Sequence, residues 1–264
     1  GRGDVRGLGL NLAVKGFNDA STSFYHHSVG GYHAAKLMRY QELIENQINP
    51  EISMLAANLN QATTMGRIDT VLSNLGVLNM LNTRYIILDP KSSPLVNNHA
   101  LGQAWFISNI DWAENADEEL QKVGEINPAI TAVVDKRYES VMQGQNLQSD
   151  SNANIVRKTY SPDEVTYSSN SATTQLAVFS EIFYPEWEMT IDGEPAEIIR
   201  ANYVLRAAVI PAGSHEIVMT MNPKIYKSSS KVSLIASLIL ILAILGYIVR
   251  EYLNNKKKGE EKAA

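Results

Sequence analysis

The stretch FNDASTSFYHHSVGGYHAAKLMRY, residues 17–40, holds the densest cluster of chemically versatile side chains in the sequence. His26, His27 and His33 lie here, three of the five histidines, beside Tyr25, Tyr32 and Tyr40 and the cations Lys36 and Arg39. Gly30-Gly31 breaks the backbone ahead of an expected helix whose unsatisfied N–H groups would receive an anion, with Lys36 and Arg39 on the following turns. Tyr32, His33, Lys36 and Arg39 are therefore the candidate substrate-binding residues, suited to a phosphate or a sugar. The competing reading is a packed interdomain corner, because Tyr and His are routinely half-buried with their polar tips satisfied.

Catalytic constellations are scarcer. A His-His pair followed six residues later by a third histidine, with no cysteine and no H-E-x-x-H spacing, is not a zinc signature, so no metal ligand is assigned. Asp19, Ser21 and Ser23 with a histidine would sketch a triad. Turn capping by Asn18, Asp19, Ser21 and Thr22 explains them more simply, and no Gly-x-Ser-x-Gly elbow is present. There is no phosphate-binding glycine loop either, so neither a cofactor nor a catalytic residue is expected. Further along, Phe183, Tyr184, Trp187 and Tyr203 are candidates for a sugar-stacking platform, with Asp192, Glu194 and Arg200 as polar partners. Against that, alternation puts Trp187, Met189 and Ile191 on one strand face, which predicts that Trp187 is buried.

The elements that must position these residues are legible in part. Residues 31–60 carry Leu37, Tyr40, Leu43 and Ile44 at helical spacing, with Pro50 dividing two helices. Asp69 is expected to cap a third, striped by Leu72, Leu75, Leu78 and Leu81, which feeds a strand at 85–88. Strands at 104–108 and 130–134 flank a short helix that Asn115 and Glu118 open as a capping box. Residues 143–154, QGQNLQSDSNAN, have the composition of an exposed linker. Beyond them the period changes to two, in runs at 164–168, 175–182, 187–191, 196–199, 203–210 and 216–221. Asp192-Gly193 predicts a type I′ hairpin.

The chain ends in VSLIASLILILAILGYIV, residues 232–249, eighteen residues without a charge. At about 1.5 Å per residue they reach roughly 27 Å, the depth of a bilayer core. Lys224, Lys227 and Lys231 precede this span, and Arg250, Lys256, Lys257, Lys258 and Lys262 follow it, a bias that places the tail in the cytoplasm and the body outside. A body outside needs translocating elements, and none stands at the opening GRGD, so the sequence reads as part of a longer membrane protein. A tail-anchored protein with a cytosolic body is the alternative.

The fold class is thus α+β: an N-terminal mixed α/β domain (1–142), a linker (143–154), an antiparallel β-sandwich (155–223), a juxtamembrane linker (224–231), a transmembrane helix (232–249) and a basic tail (250–264). With a net charge of −5 and no Lys/Arg stripe outside the tail, nucleic acid is not an expected partner. The absence of cysteine excludes a disulfide framework and a thiolate nucleophile.

Four strings, taken in order, resemble the C-terminal extracytoplasmic region of the YfhO family of bacterial polytopic membrane proteins. They are FNDASTSFYHHSVGGYHAAKLMRYQELIE, VLNMLNTRYIILDP, AWFISNIDWAENADEEL and FYPEWEMTIDGEPAEIIRANYVLRAAVIPAGSHEIVMTMNP. The resemblance implies upstream membrane spans in the same protein and a likeness to glycosyltransferases of the C superfamily, which use polyprenyl-phosphate sugars to modify cell-surface glycopolymers. It places the body on the outer side of the cytoplasmic membrane. It assigns no catalytic residue here, because in such enzymes the expected acid lies in an early extracytoplasmic loop. It turns Tyr32, His33, Lys36 and Arg39 toward a phosphate or acceptor sugar. The remaining alternative is a noncatalytic, membrane-tethered carbohydrate-binding or scaffold module.

Overall fold

The computed structural model describes residues 6–9, 17, 27–31, 35–59, 65–89 and 91–263. The protein is α+β, and its contacts divide it into a body, residues 1–220, and a C-terminal unit, residues 221–264.

The body is layered around a six-stranded sheet. Its strands are β4 (Ala104–Phe106), β5 (Asn109–Ala113), β6 (Thr131–Asp135), β9 (Gln175–Ile182), β12 (Ile199–Ala201) and β13 (Leu205–Ile210), in the spatial order β4-β9-β13-β12-β6-β5. Within this sheet β5 and β6 pair in parallel and the other neighbours are antiparallel. A second sheet has the order β11-β10-β14-β8-β7, built from β7 (Asn154–Tyr160), β8 (Glu164–Ser171), β10 (Trp187–Ile191), β11 (Glu194–Ala196) and β14 (Gly213–Met221). Strands from either side of the 143–154 segment therefore share one sheet.

Strand β9 explains the layering. Ala177 and Phe179 point into a cluster with Val165, Tyr167, Ile217 and Met219 of the second sheet. Leu176 and Val178 point the other way, into a core shared with the helices. A strand covered on both faces needs no polar alternation, which is why QLAVFS is buried from end to end.

On the helical side, α1 (Met38–Leu43), a π-helical turn (Ile44–Ile48) and α2 (Asn49–Leu59) run on without a break. Pro50 does not divide two helices. It sits in the first turn of α2, where its missing N–H costs little, and the wider turn before it absorbs the change of phase. Helix α3 (Met65–Ser73) begins four residues before Asp69, which is not a cap but faces His99 at 3.0 Å. The stripe Leu72, Leu75, Leu78 and Leu81 is buried as its spacing predicts. It runs from α3 into a second short helix, α4 (Gly76–Met80), which leads to β2 (Thr83–Ile87). β2 is the centre of a small sheet with β1 (Arg6–Gly9) and β3 (Leu95–Val96).

The N-terminus of α4 is capped from another helix. Glu51 accepts hydrogen bonds from the Val77 and Leu78 amides, at 2.7 and 2.9 Å. Burial outweighs these two bonds and pushes its carboxyl up to about 7 from an ordinary value of 4.5. Between those values the unfolded chain has released this proton and the folded chain has not, so stability falls as the pH rises from about 4.5 to about 7. The drop attributable to Glu51 is about 3 kcal/mol. Urea unfolding across that range should show the decline in the wild type and a flatter profile in Glu51→Gln.

Asn115 opens α5 (Ala116–Val123) as expected: its side chain accepts from the Glu118 amide at 3.0 Å. α5 also forms the crossover that lets β5 and β6 run parallel. A 3₁₀ turn (Lys136–Tyr138) and the single-turn α6 (Glu139–Met142) follow β6. Asp192 and Gly193, at φ 53° and 85°, make the tight β10–β11 turn. This is the type I′ pattern.

The C-terminal unit is dominated by α7 (Lys224–Ala263), joined to β14 through Asn222 and Pro223. Residues 224–231, expected as a linker, are its first two turns. At 1.5 Å per residue the helix is about 60 Å long. Its segment Ser228–Glu251 is long and apolar enough to cross a membrane.

Candidate functional site

Helix α1 does not start at the Gly30-Gly31 break. It starts at Met38, after Leu37, which offers no side-chain cap. Among the described residues no helix starts between Gly31 and Met38; residues 32–34, directly behind the glycines, where the anion-receiving start was expected, lie outside them. Tyr32 and His33 lie outside the described residues. Lys36 precedes the helix and is half-buried, and Arg39 lies in its first turn.

Arg39 is committed to the protein. Its Nη1 donates to Glu119 Oε2 at 2.9 Å and to the Tyr203 carbonyl at 3.4 Å, and its guanidinium lies 4.4 Å from the Tyr203 ring centre. The other Glu119 oxygen accepts from the Tyr203 amide at 3.1 Å. Tyr203 Oη donates to Glu42 Oε2 at 2.5 Å. Burial, and then the Glu42 carboxylate, push this phenol up to about 12, so it remains a donor at neutral pH.

Glu119 is fully buried. Burial raises its carboxyl above the usual range, and Arg200 and Arg39 pull in the opposite direction. The helix supplies the reason for its position: Glu119 and Val123, one turn apart, are the buried residues of α5. This carboxylate was legible only as a helix acid; its spacing to Val123 was the available signal that it faces inward.

The turn that Glu119 holds is itself unusual. Asn202 and Tyr203, between β12 and β13, have φ of 47° and 70°. Asparagine tolerates the left-handed region, but a bulky side chain there is strained by about 1–3 kcal/mol. Asn202 offsets part of this by acting as an extra strand residue: its N–H donates to the Val133 carbonyl, and its Oδ1 accepts from the Val133 amide, both at 2.8 Å.

Beside this turn lies a cleft of about 260 Å³, walled by Leu37, Met38, Ile182, Phe183, Tyr184 and Pro185 and floored by Arg39, Arg200 and Tyr203. Arg200 is the residue left incomplete. Its Nε and Nη2 are buried and lack a hydrogen-bond partner, while Nη2 stops 3.8 Å from Glu119 Oε2. Burial lowers the affinity of this guanidinium for its proton, with Glu119 opposing. An unmet buried donor costs about 1–3 kcal/mol.

The structure thus joins Arg39 of the N-terminal block to Phe183, Tyr184, Tyr203 and Arg200 of the aromatic platform. Trp187 stays out of the cleft, half-buried with the Arg206 guanidinium 3.7 Å from its ring centre. Asp192 and Glu194 belong to the hairpin, where Asp192 pairs with His215 at 2.6 Å. A larger groove of about 790 Å³ runs past Trp112, Arg137, Glu139 and Gln145, and its lining is polar and open to solvent. Among the described residues no group of three or more His, Cys, Asp or Glu side chains could hold a metal ion. No protein-family model, curated protein or solved structure gives a significant match to this chain.

Proposed function

We propose that this chain is an extracytoplasmic, ligand-holding region of a polytopic glycosyltransferase-like membrane protein, tethered by α7 and without a catalytic residue of its own. One observation carries the reading. The first and last strings of the YfhO-like resemblance, FNDASTSFYHHSVGGYHAAKLMRYQELIE and FYPEWEMTIDGEPAEIIRANYVLRAAVIPAGSHEIVMTMNP, lie far apart in sequence, yet Arg39 of the one packs on Tyr203 of the other at the cleft that Tyr184 and Pro185 wall. A shared cleft built from both strings is what a binding role for this region requires. In this reading the ligand is presented to upstream spans of the same protein, the donor is a polyprenyl-phosphate sugar, and the acceptor is a cell-surface glycopolymer.

The test uses the full-length protein in its own cells. Ser149 is exposed in the 143–154 segment, so a cysteine placed there should react with an impermeant maleimide in intact cells. Lys36→Ala and Tyr184→Ala alter exposed or half-buried groups outside the Glu119 network and should lower glycopolymer modification about tenfold at unchanged expression. Protection of the cysteine until the cells are permeabilised, or unchanged modification in both variants, would overturn the proposal.

A further inference from the structure

We infer that the groove between β5 and residues 136–147 binds a neutral saccharide of about disaccharide size, stacked on Trp112 and held by the side chains of Gln143, Gln145 and Glu139. This groove shares no lining residue with the cleft beside Arg39, and its occupant does not depend on the function proposed for that cleft.

β5 is the last strand of the six-stranded sheet. Its Asp111 turns toward α5, where it pairs with Lys122 at 2.7 Å, so alternation sends Ile110 and Trp112 to the opposite face, where they line the groove. A buried indole usually places its N–H on a partner, as Trp105 does on the Pro128 carbonyl at 2.8 Å. Trp112 is half-buried, and its N–H has no partner among the described residues. Nor is that nitrogen among the unmet polar atoms sealed from solvent, so a ligand in the groove can reach it. Trp112 therefore offers an apolar ring and an available donor at one place.

The facing wall is polar and fixed. The Gln145 N–H donates to the Met142 carbonyl at 3.1 Å and the Gln148 N–H to the Thr174 carbonyl at 3.0 Å, while Thr173 Oγ1 donates to the Gln148 carbonyl at 2.6 Å. Gly144, at φ 81°, turns the chain between Gln143 and Gln145. Both glutamines are exposed, and their side-chain amides make no hydrogen bond among the described residues. A primary amide both donates and accepts, which complements neighbouring sugar hydroxyls that do the same. A wall already held in place costs less ordering when the ligand binds.

Charge and volume narrow the occupant. Lys136 is paired with Glu114 and Arg137 with Asp135, so each cation at the groove is already balanced by a carboxylate. Glu139 makes no hydrogen bond among the described residues, and its negative charge disfavours a phosphate or an acidic polymer while accepting from hydroxyls. An aliphatic chain would strip water from Glu139 and the glutamines without replacing their hydrogen bonds. A sugar ring meets both halves of the site, its C–H face covering the indole and its hydroxyl rim reaching the amides. At about 30 Å³ per water-sized group, 790 Å³ holds roughly 26 non-hydrogen atoms, close to a disaccharide.

The experiment titrates the full chain by calorimetry in a polyoxyethylene detergent, which carries no sugar head group. The probes are maltose, cellobiose, gentiobiose and diacetylchitobiose, with glucose 1-phosphate and glycerol as controls. At least one disaccharide should bind saturably and about tenfold or more tightly than either control. Trp112→Phe keeps an apolar ring and removes the N–H; it should weaken binding about threefold or more, and abolish the change in tryptophan fluorescence on binding, with the urea midpoint preserved. If Trp112→Phe does not fold, Gln145→Ala, which trims an exposed side chain, should weaken binding by a similar factor. No saturable binding of any disaccharide up to about 50 mM, equally tight binding of glucose 1-phosphate, or unchanged binding in both variants overturns the inference. So does a loss in Tyr184→Ala equal to that in Gln145→Ala, since it would place the sugar in the other cleft.

Discussion

Glu119→Ala should lower the stability of the body by about 3–5 kcal/mol, the cost of stripping the partner from buried charge. The loss has three parts. Arg39 and Arg200 would face each other across the cleft floor without a carboxylate between them, the Tyr203 amide would lose its acceptor, and the strained turn at Asn202-Tyr203 would lose its hold. Glu119→Gln keeps an acceptor for the amide and should cost about half as much, since it sacrifices the charge and keeps the shape. The pair is not thereby a net source of stability, because burial has already raised the Glu119 carboxyl. Arg39→Ala exposes that distinction. It should destabilise strongly at pH 8 and less at pH 5, where Glu119 can take up a proton. Urea unfolding of the four proteins at the two pH values measures all of this. Equal losses for Glu119→Ala and Glu119→Gln would show that the charge contributes nothing.

Phe179→Ala should cost about 3–5 kcal/mol, from lost apolar burial and the cavity left behind. Phe179 is fully buried between the two large sheets, and its ring meets Tyr167 edge-on with centroids 4.9 Å apart. That contact adds about 0.5–1.5 kcal/mol beyond the buried area. Phe179→Leu should cost much less, because most of the volume remains. The measurement is the urea midpoint, and a cost under about 1 kcal/mol for Phe179→Ala would mean that the sheets do not close on this ring.

These two residues also mark where the sequence is informative. β9, 175–182, is legible in full because its run of apolar residues has clear ends, and the Asp192-Gly193 turn is legible because few other pairs accept two positive φ values. The leucine stripe shows at its true spacing even though the chain changes helix at Asn74 and Leu75. What is missed depends on distant partners. β5 reads NIDWA, with two residues poor in strand propensity, and becomes a strand because β6 lies alongside. β7 is mostly exposed at the margin of its sheet, so it carries little apolar signal. The polar stretch at 143–154 looks like a boundary because composition reports exposure, not which strands pair across it. At the cleft, Arg39, Tyr184 and Arg200 are visible as types, but only the fold places Glu119 among them and leaves one edge of Arg200 vacant.

The six-stranded sheet has a consequence for how the body comes into being. In this sheet β6 docks on β12, with β5 alongside it, and β4 docks on β9, so the early strands emerge from synthesis well before the later ones that complete their pairing. Such long-range closure is slow, and it leaves strand edges bare while the chain lengthens. The opening half of this body is therefore a client of its own second half, and is most vulnerable to aggregation or proteolysis in the interval before residue 210 arrives.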